Sequence, residues 1–506
     1  METKSPPRTS LRGSSKKPQL SKTTTAEVKP FAHQDKSLKH DATTPIVYDC
    51  SDPGTGKTYV RIKAFEGRRK KHSTSGARTN STRSGTQCLL VLAPKSLLRS
   101  VWLNDFKKFA PSLRVAVSTA GKHEAVFAED ADVYVTNIDA VKWLAKQKKG
   151  FFDKFSDLVI DESTAYKHHS SMRSRAALKI SKYFERRACM TGTPNGNSIT
   201  DVWHQIMLLD GGKRLGSSFY GFRASVCSPT QVGRDKNAMR WDDKDGAEEA
   251  VFGLLSDITI RHRFEDCVDI PANHQYNIPY TLGTGHRKAY DAMQEDSLVA
   301  LFGTQEERAI SRIKGVELKP KAIVTAMHAG VQAQKLLQIA SGAVYESPNK
   351  YHVVDTGRYE MILDLIEERK HSLTFFFWNH QRDMLLSEAD RRGVKYAVID
   401  GSTPDGERNE IVTQYQRGAY QTLFAHPKSA AHGLTLTKGT ATIWSSPTYD
   451  LEIFKQGSKR QHRMGQTQKT ETIIVTAEDT IEQKVYDAML TKDARMTRLL
   501  DLFSIL

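Results

Sequence analysis

One short segment of this chain combines the residue types that hold phosphate groups: Ser51-Asp52-Pro53-Gly54-Thr55-Gly56-Lys57-Thr58. It follows the apolar run Ile46–Tyr48 and opens an amphipathic stretch, the strand–turn–helix context of a phosphate-binding loop. Glycines let backbone N–H groups turn toward the phosphates, and the helix N-terminus adds its positive dipole end. Lys57 supplies a point charge, and the Thr58 hydroxyl can ligate Mg²⁺. The strict pattern has glycine where this chain has Ser51, so the match is relaxed.

A pair of carboxylates follows a second apolar run. Leu158–Ile160 reads as a buried strand, and Asp161 and Glu162 come directly after it. Side chains at the carboxyl end of such a strand reach the crevice where α/β proteins bind ligands. Asp161 is placed to hold Mg²⁺, and Glu162 to polarise a water that attacks a γ-phosphate. An acidic pair is also a common helix N-terminus, but its position about 100 residues after the phosphate loop favours the first interpretation.

Two arginines recur near the C-terminus within the run Gln456-Gly457-Ser458-Lys459-Arg460-Gln461-His462-Arg463-Met464-Gly465-Gln466. Their spacing predicts that Arg460 and Arg463 lie about one turn apart on one face of a helix. Two guanidinium groups so placed can reach across a cleft and stabilise the transition-state charge on a γ-phosphate. The alternative is an exposed basic helix, which would be preferred if this run stood alone.

The composition suits a folded chain with a polyanionic partner. Of 506 residues, 39% are hydrophobic and 26% are charged, as in chains that build buried cores. The formal charge is +16, and excess positive charge favours nucleic acid because neutralised phosphates release counterions. The alternative is that the charge lies in flexible tails, since residues 1–40 and 61–83 are both strongly basic.

Several classes of protein and site are disfavoured. No apolar run approaches roughly 20 residues, so no membrane span is expected. The basic N-terminus has no apolar segment after it, which argues against a secretory signal. The five cysteines show no zinc-ligand spacing. Reduced, mostly buried thiols indicate a cytoplasmic protein, preferably of a bacterium or a phage-infected cell, or a nuclear one in a eukaryote.

Short apolar runs alternate with helical patterns through much of the chain. This alternation predicts an α/β fold with parallel sheets covered on both faces. Residues 1–28 lack any apolar period and are predicted to be a disordered basic arm. We expect a first α/β lobe at 29–196, a largely helical insertion at 197–356, and a second α/β lobe at 357–506.

Read together, these motifs resemble the superfamily-two helicases and translocases, most closely the Swi/Snf-like DNA-dependent ATPases of the compact phage and bacterial type. The resemblance covers roughly residues 30–490 and implies two tandem RecA-like lobes. Further segments that carry it are Phe31-Ala32-His33-Gln34, Ala93–Leu98, Thr136-Asn137, Thr191-Gly192-Thr193-Pro194, Lys335–Gly342, Phe377–Gln381, Asp400-Gly401-Ser402-Thr403 and Ser429–Leu436.

The resemblance implies an ATP-driven motor that translocates on or remodels DNA. In such a motor Gln34 would read the adenine edge beside the phosphate loop, with ATP and Mg²⁺ as the bound nucleotide and metal. Arg460 and Arg463 would complete the site from the second lobe when the lobes close. The residues placed to grip a nucleic-acid backbone are Lys95, Ser96, Thr136, Ser402 and Thr403. Duplex DNA is favoured as the polymer, and RNA is not excluded.

Three other interpretations stay open: a strand-separating DNA or RNA helicase, a motor subunit of a restriction enzyme, and a non-catalytic nucleic-acid-binding scaffold. The chain also departs from the family pattern at two motifs. Ser163-Thr164 follows the acidic pair where a small residue and histidine are usual, which weakens any claim of coupling there. Ala431-His432 stands where a glycine-rich turn is common.

Overall fold

The computed structural model describes residues 29–74, 87–231, 239–302, 326–347, 350–430 and 434–504. The predicted arm at 1–28 lies outside these ranges, as do Ala431, His432 and Gly433. Within the described ranges, no helix combines the length and apolar character that crossing a membrane requires.

The first lobe is built on a seven-stranded sheet whose paired strands are all parallel. Its central strand Cys88–Ala93 is buried at every residue, as expected for a sheet with helices on both faces. The strands of this part of the chain are β1 (Ile46–Asp49), β2 (Cys88–Ala93), β3 (Val115–Ser118), β4 (Val133–Asn137), β5 (Phe155–Asp161), β6 (Arg186–Met190), the hairpin strands β7 (Cys227–Gln231) and β8 (Met239–Asp243), and β9 (Thr259–Ile260). The order across the sheet is β3-β4-β2-β5-β6-β1-β9.

Helices flank this sheet and position its loops. The predicted helical stretch from Leu97 to Phe109 forms a π-helical turn (Leu98–Leu103) followed by an α-helix. The helices are α1 (Ala32–Thr43), α2 (Lys57–Thr74), α3 (Asn104–Phe109), α4 (His123–Ala128), α5 (Val141–Leu144), α6 (Met172–Ser181), α7 (Asp201–Asp210), α8 (Phe219–Val226), α9 (Ala247–Leu255) and α10 (Phe264–Cys267).

The second lobe contains a six-stranded parallel sheet in the order β10-β17-β16-β13-β15-β14. The strands are β10 (Asn273–Tyr280), the antiparallel pair β11 (Ala343–Ser347) and β12 (Lys350–Val353), β13 (Ser372–Phe375), β14 (Tyr396–Ile399), β15 (Thr422–Ala425), β16 (Ala441–Trp444) and β17 (Thr470–Ala477). The helices are α11 (Thr284–Phe302), α12 (Ala326–Ala340), α13 (Gly357–Glu367), α14 (Asn379–Arg392), α15 (Asp405–Gln416), α16 (Pro427–Ala430), α17 (Leu451–Ser458) and α18 (Ile481–Ser504).

The predicted α/β fold with two parallel-sheet lobes is confirmed. The segment 197–356 supplies strands to both sheets, because β9 pairs with β1 and β10 pairs with β17. The chain therefore passes from one sheet to the other within residues 261–272, which we call the crossing segment. The polar patch in the predicted insertion contains the β7–β8 hairpin rather than helix. The expected domain boundaries themselves stay a prediction.

The C-terminal helix α18 connects the two lobes from outside the sheets. It follows β17 of the second sheet, and its residues Met496 and Leu499 are fully buried in a cluster that includes first-lobe side chains. Lys492 Nζ donates to Asn197 Oδ1 of the first lobe at 3.2 Å. In both sheets, loops at the carboxyl ends of the strands carry the predicted motifs. The candidate site therefore lies at these strand ends.

Candidate functional site

The predicted phosphate loop is a tight turn between β1 and α2. Gly54 and Gly56 have φ angles of +92° and +83°, in the left-handed region that favours glycine. A Cβ at Gly56 would also collide with the side-chain amide of Gln34. Lys57 Nζ donates to the backbone carbonyls of Ser51 and Asp52. The loop thus has the curvature and the charge that holding phosphates requires.

The departure at Ser51 has a structural explanation. Its side chain is 1% exposed, and its Oγ accepts a hydrogen bond from the backbone N–H of His262 at 3.1 Å. The neighbouring Asp52 N–H donates to the His262 carbonyl at 3.0 Å. Serine at this position therefore fastens the phosphate loop to the crossing segment, a bond that glycine could not make.

Helix α1 brings Gln34 and His33 against the same loop. Gln34 is 5% exposed and its Nε2 donates to the Thr55 carbonyl at 3.3 Å, while its Oε1 accepts from the Phe31 N–H at 3.1 Å. His33 Nε2 lies 2.8 Å from the same Thr55 carbonyl. The Thr55 hydroxyl in turn donates to the Asp52 carbonyl at 2.9 Å. The structure thus brings together the predicted Gln34 and the phosphate loop.

The acidic pair lies at the end of β5, beside the loop. Asp161 Oδ2 accepts a hydrogen bond from Trp102 Nε1 at 2.9 Å, and Asp161 Oδ1 accepts from the Glu162 N–H at 3.1 Å. Trp102 is fully buried in the π-helical turn. Glu162 has a φ angle of 52°, in the left-handed region that residues other than glycine rarely adopt because it is strained.

Burial changes the acidity of both carboxyl groups. Burial raises the pKa of Asp161, against the Trp102 hydrogen bond and the charge of Lys57. Burial, together with the carboxylates of Asp161 and Glu452, raises the pKa of Glu162 to about 8, while Lys57 and Arg460 act in the opposite direction. Within the described residues, Glu162 Oε2 is buried without a hydrogen-bond partner. A carboxyl group that exchanges its proton near neutral pH suits general-base chemistry.

The arginine pair lies in a turn, so the predicted helical placement is wrong. Helix α17 ends at Ser458, and residues 459–466, which we call the arginine turn, continue without regular helix. Both guanidinium groups converge on one carbonyl: Arg460 Nη1 and Arg463 Nη1 donate to Leu434 O at 3.4 and 2.8 Å. Burial and the neighbouring charge of Arg463 lower the pKa of Arg460 to about 9, so it stays protonated at pH 7.

The last turn of α17 packs closely against the sheet beneath it. A Cβ at Gly457 would lie 2.8 Å from the Trp444 ring and 3.0 Å from the Phe375 ring, so only glycine fits there. The side-chain amide of Gln466 then donates to the carbonyls of Thr437 and Gly439 at 3.1 and 2.9 Å and closes the turn. These contacts with β13, β16 and the preceding loop give both arginines their direction.

The two lobes meet across this cleft. Arg460 of the second lobe is close enough to Glu162 of the first for each to affect the pKa of the other. A hydrogen bond from Thr164 Oγ1 to Glu452 Oε1, 2.9 Å long, joins the lobes directly. Sequence reasoning missed Glu452, and it treated Thr164 only as a departure; the Asp450-Leu451-Glu452 helix start was the one available signal.

The turn at Thr191–Pro194 packs on the phosphate loop. A Cβ at Gly192 would lie 3.0 Å from Pro53 Cδ, so glycine allows this close approach. A cavity of about 300 Å³ opens here between the lobes, and Pro53, Glu162, Gly192 and Gln456 line it. Its walls therefore include residues of the phosphate loop, the acidic pair, the Thr191–Pro194 turn and the segment that precedes Arg460.

The predicted metal ligands fit Mg²⁺. Thr58 lies in the first turn of α2 and offers a hydroxyl oxygen, and the carboxylate of Asp161 offers oxygens with lone pairs beyond their single hydrogen bonds. Mg²⁺ prefers oxygen ligands and is usually held by one or two protein groups together with substrate phosphates and water. The described residues contain no group of three or more His, Cys, Asp or Glu side chains suited to a metal ion.

The predicted nucleic-acid residues lie at the carboxyl ends of strands in both lobes. Lys95 is exposed and Ser96 half-buried after β2, while Ser402 and Thr403 follow β14. Asp400 orders the latter turn, since the N–H and hydroxyl of Ser402 both donate to its Oδ1 at 2.9 and 2.6 Å. Thr136 is fully buried, and its hydroxyl donates to Ser118 O at 3.2 Å. Their contact with nucleic acid stays a prediction.

Comparison with known proteins places these features in a family. The SNF2-related domain matches residues 46–329, and the helicase conserved C-terminal domain matches residues 357–465. A putative protein, p41, of Acyrthosiphon pisum secondary endosymbiont phage 1 is 27% identical over 467 residues, covering 88% of this chain and 93% of that protein. An uncharacterized ATP-dependent helicase of Mycoplasma pneumoniae is 23% identical over 81% of this chain, which spans only 37% of that protein.

Among solved structures, a Sulfolobus solfataricus SWI2/SNF2 ATPase core in complex with dsDNA covers 95% of this chain and 96% of its own, with 19% identity and a TM-score of 0.41. The SNF2-related match spans more than half of the 506 residues and contains the phosphate loop and the acidic pair. The helicase C-terminal match follows it and contains both arginines. The chain therefore belongs to the SNF2-related family of ATP-dependent, helicase-like motors.

Proposed function

We propose that this chain is a duplex-DNA-dependent ATPase that moves along DNA by opening and closing its two lobes. The observation that carries the proposal is the meeting of the two lobes at the acidic pair, where Thr164 Oγ1 donates to Glu452 Oε1 at 2.9 Å and Arg460 lies near Glu162. A phosphate loop and acidic pair on one lobe, with arginines on the other, make hydrolysis depend on lobe closure. Anything that favours closure, including a bound polymer, then stimulates hydrolysis.

Each residue of the site has a role in this proposal. The backbone of 53–56 and Lys57 hold the phosphates of ATP, and Gln34 contacts the nucleotide beside the loop. Thr58 and Asp161 hold Mg²⁺, which when bound neutralises charge on the phosphate oxygens. Glu162 accepts a proton from the attacking water, and Arg460 and Arg463 stabilise the charge that develops on the γ-phosphate.

Lobe closure is proposed to produce movement because each lobe carries its own contacts to the polymer. Lys95 and Ser96 would grip a phosphate backbone from the first lobe, and Ser402 and Thr403 from the second; Thr136, being fully buried, would support this surface from beneath. Alternating these grips advances the chain without reading base sequence. The charge of +16 supports a polyanionic partner. The phage relative and the free cysteines support a cytoplasmic location in a bacterial or phage-infected cell.

The decisive experiment compares the ATPase rate with no polymer, single-stranded DNA, double-stranded DNA and RNA. Duplex DNA should give the largest stimulation, and Lys57→Ala should abolish it because the loop loses its phosphate charge. Equal rates for wild type and Lys57→Ala in the presence of duplex DNA would show that the chain is a scaffold. Stimulation only by RNA, or displacement of a strand from forked DNA, would assign it to the strand-separating helicases instead.

A further inference from the structure

The crossing segment, residues 261–272, holds the phosphate loop from outside. Arg261 Nη1 donates to Asp52 Oδ1 at 2.6 Å and to the Cys50 carbonyl at 3.0 Å. Asp52 Oδ2 accepts from the backbone N–H of Phe264 at 3.0 Å. Burial works against ionisation of Asp52, but Arg261 and the Phe264 N–H outweigh it and hold the pKa of Asp52 below its ordinary value. The loop and the segment are thus joined by a partly buried ion pair and several backbone bonds, including those to His262.

Phe264 sits where the segment meets the loop and is fully buried. A Cβ at Gly54 would lie 3.0 Å from Phe264 Cε2, so the ring rests directly on the phosphate loop. The ring of His462, in the arginine turn, meets Phe264 edge to face, with centroids 5.8 Å apart and planes at 74°. Lys459 Nζ lies 5.4 Å from the Phe264 ring centroid. One aromatic side chain therefore contacts both halves of the site.

The same segment is tied to the arginine turn at two further points. Glu265 forms an ion pair with Lys459 at 2.7 Å. His462 Nε2 lies 3.0 Å from the Pro271 carbonyl and can donate to it. Lys459 and His462 directly precede Arg460 and Arg463 in the chain. A displacement of the segment therefore moves the residues that hold both arginines.

We propose that the crossing segment, centred on Phe264, is a bridge that positions the arginine turn relative to the phosphate loop. The inference rests on the proposed function, since it concerns how that ATP site is assembled. The segment is bonded directly on both sides, through the Arg261–Asp52 ion pair to the loop and the Glu265–Lys459 ion pair to the arginine turn. A change in the loop when ATP binds or is hydrolysed is thereby passed to Arg460 and Arg463. Phe264 and His462 are positioning residues that need not contact the nucleotide.

The first test compares Phe264→Leu with a control, Phe152→Leu, which removes a ring of similar burial from the first-lobe core. Both variants should lower the thermal unfolding midpoint to a similar extent. Phe264→Leu should lower kcat for DNA-stimulated hydrolysis about tenfold, with KM for ATP within about threefold. Phe152→Leu should leave kcat unchanged. A rise in KM with normal kcat, or loss of kcat in both variants, would overturn the bridge.

A double-mutant cycle with His462→Ala tests whether the two rings act together. If the contact is the bridge, the double variant should lose little more kcat than the more impaired single variant. If the fold-losses of kcat of the two single variants multiply in the double variant, the two rings act independently, which would refute the proposal.

A measurement without hydrolysis separates this proposal from the ATPase function. Hydrogen–deuterium exchange should become faster at residues 50–58 when His462 is changed to alanine, because the loop loses its distant support. Exchange in the remote helix α6 (Met172–Ser181) serves as the internal control. An unchanged rate at the loop would refute the bridge even if wild-type protein hydrolyses ATP. A faster rate would support it even if the chain proved to be a scaffold.

Discussion

Replacing Thr164 by valine should slow ATP hydrolysis by destabilising the closed arrangement of the lobes. Thr164 is 4% exposed, and its hydroxyl donates to Glu452 Oε1 at 2.9 Å. Valine keeps the shape of threonine and removes only the hydroxyl. The remaining donor to Glu452 is the Gln456 amide, at 3.5 Å and hence at the limit of a hydrogen bond. Among the described residues, the variant therefore leaves the half-buried Glu452 acceptor nearly unpaired.

The expected fall in kcat depends on which arrangement of the lobes carries the free-energy cost of the unpaired Glu452 oxygen. An unsatisfied buried acceptor costs about 1–3 kcal/mol, and a coupling energy of that size changes an equilibrium roughly 5–150-fold. Because the bond joins the two lobes, the cost applies to the closed arrangement, whereas Glu452 can reach water when the lobes separate. We expect kcat with duplex DNA to fall within that range, with little change in the unfolding of either lobe.

The assay is steady-state ATP hydrolysis at saturating ATP and duplex DNA, with two comparison variants. Thr164→Ser keeps the hydroxyl and should retain most of the wild-type rate. Arg495→Met removes another interlobe contact, a 3.9 Å ion pair with Asp243 in which the arginine side chain is 47% exposed. Such exposed pairs contribute about 0–1 kcal/mol, so that variant should change the rate less than about fivefold. A wild-type rate for Thr164→Val, or an equal loss for Thr164→Ser, would refute the reasoning.

Three further changes test other parts of the structure. Glu162→Gln should abolish hydrolysis while ATP still binds. The wild-type base acts as a carboxylate and burial raises its pKa to about 8, so kcat/KM should rise with pH toward 8. A flat pH profile would contradict this assignment. Since the folded protein holds that proton above the ordinary pKa of 4.5, stability should be lost as pH rises from about 4.5 to 8, and Glu162→Gln should show a smaller loss in thermal unfolding. Arg460→Ala should lower kcat about 10³-fold or more with similar ATP affinity, and a loss confined to affinity would argue against its role at the γ-phosphate. Glu482→Gln should destabilise the second lobe by about 3–5 kcal/mol in urea unfolding. Arg358 is 1% exposed and donates to both carboxylate oxygens of Glu482, so the variant leaves it as an uncompensated buried charge. A cost below about 1 kcal/mol would refute this.

Local sequence was sufficient for most of the sheet strands. Apolar runs such as Cys88–Ala93 and Tyr396–Ile399 coincide with strands because a sheet covered on both faces requires continuous apolar residues. The apolar run that contains β13 continues past the end of this strand at Phe375 as far as Trp378, since hydrophobicity does not mark where pairing with β15 and β16 stops. The β9 strand of two residues is too short for any periodicity to reveal.

Some residues of the candidate site could be recognised from local sequence, and others only from the structure. The phosphate loop and the acidic pair were recognisable because their chemistry depends on adjacent residues. The helical placement of Arg460 and Arg463 was wrong because spacing three apart also occurs in a turn, and α17 ends at Ser458, before the first arginine. Ser51 looked like a defect in the loop until the structure showed its bond to the His262 backbone.

The sequence by itself determined the fold class, the order of the motifs and the residue types available for ATP chemistry, because each depends on short runs of the chain. Only the tertiary structure decided which groups from the two lobes face each other. Thr164 and Glu452, or Gly54, Phe264 and His462, are brought together by the packing of segments hundreds of residues apart. Such contacts have no local periodicity, since they arise from how whole lobes and the crossing segment pack, and so they could be found only in the folded chain.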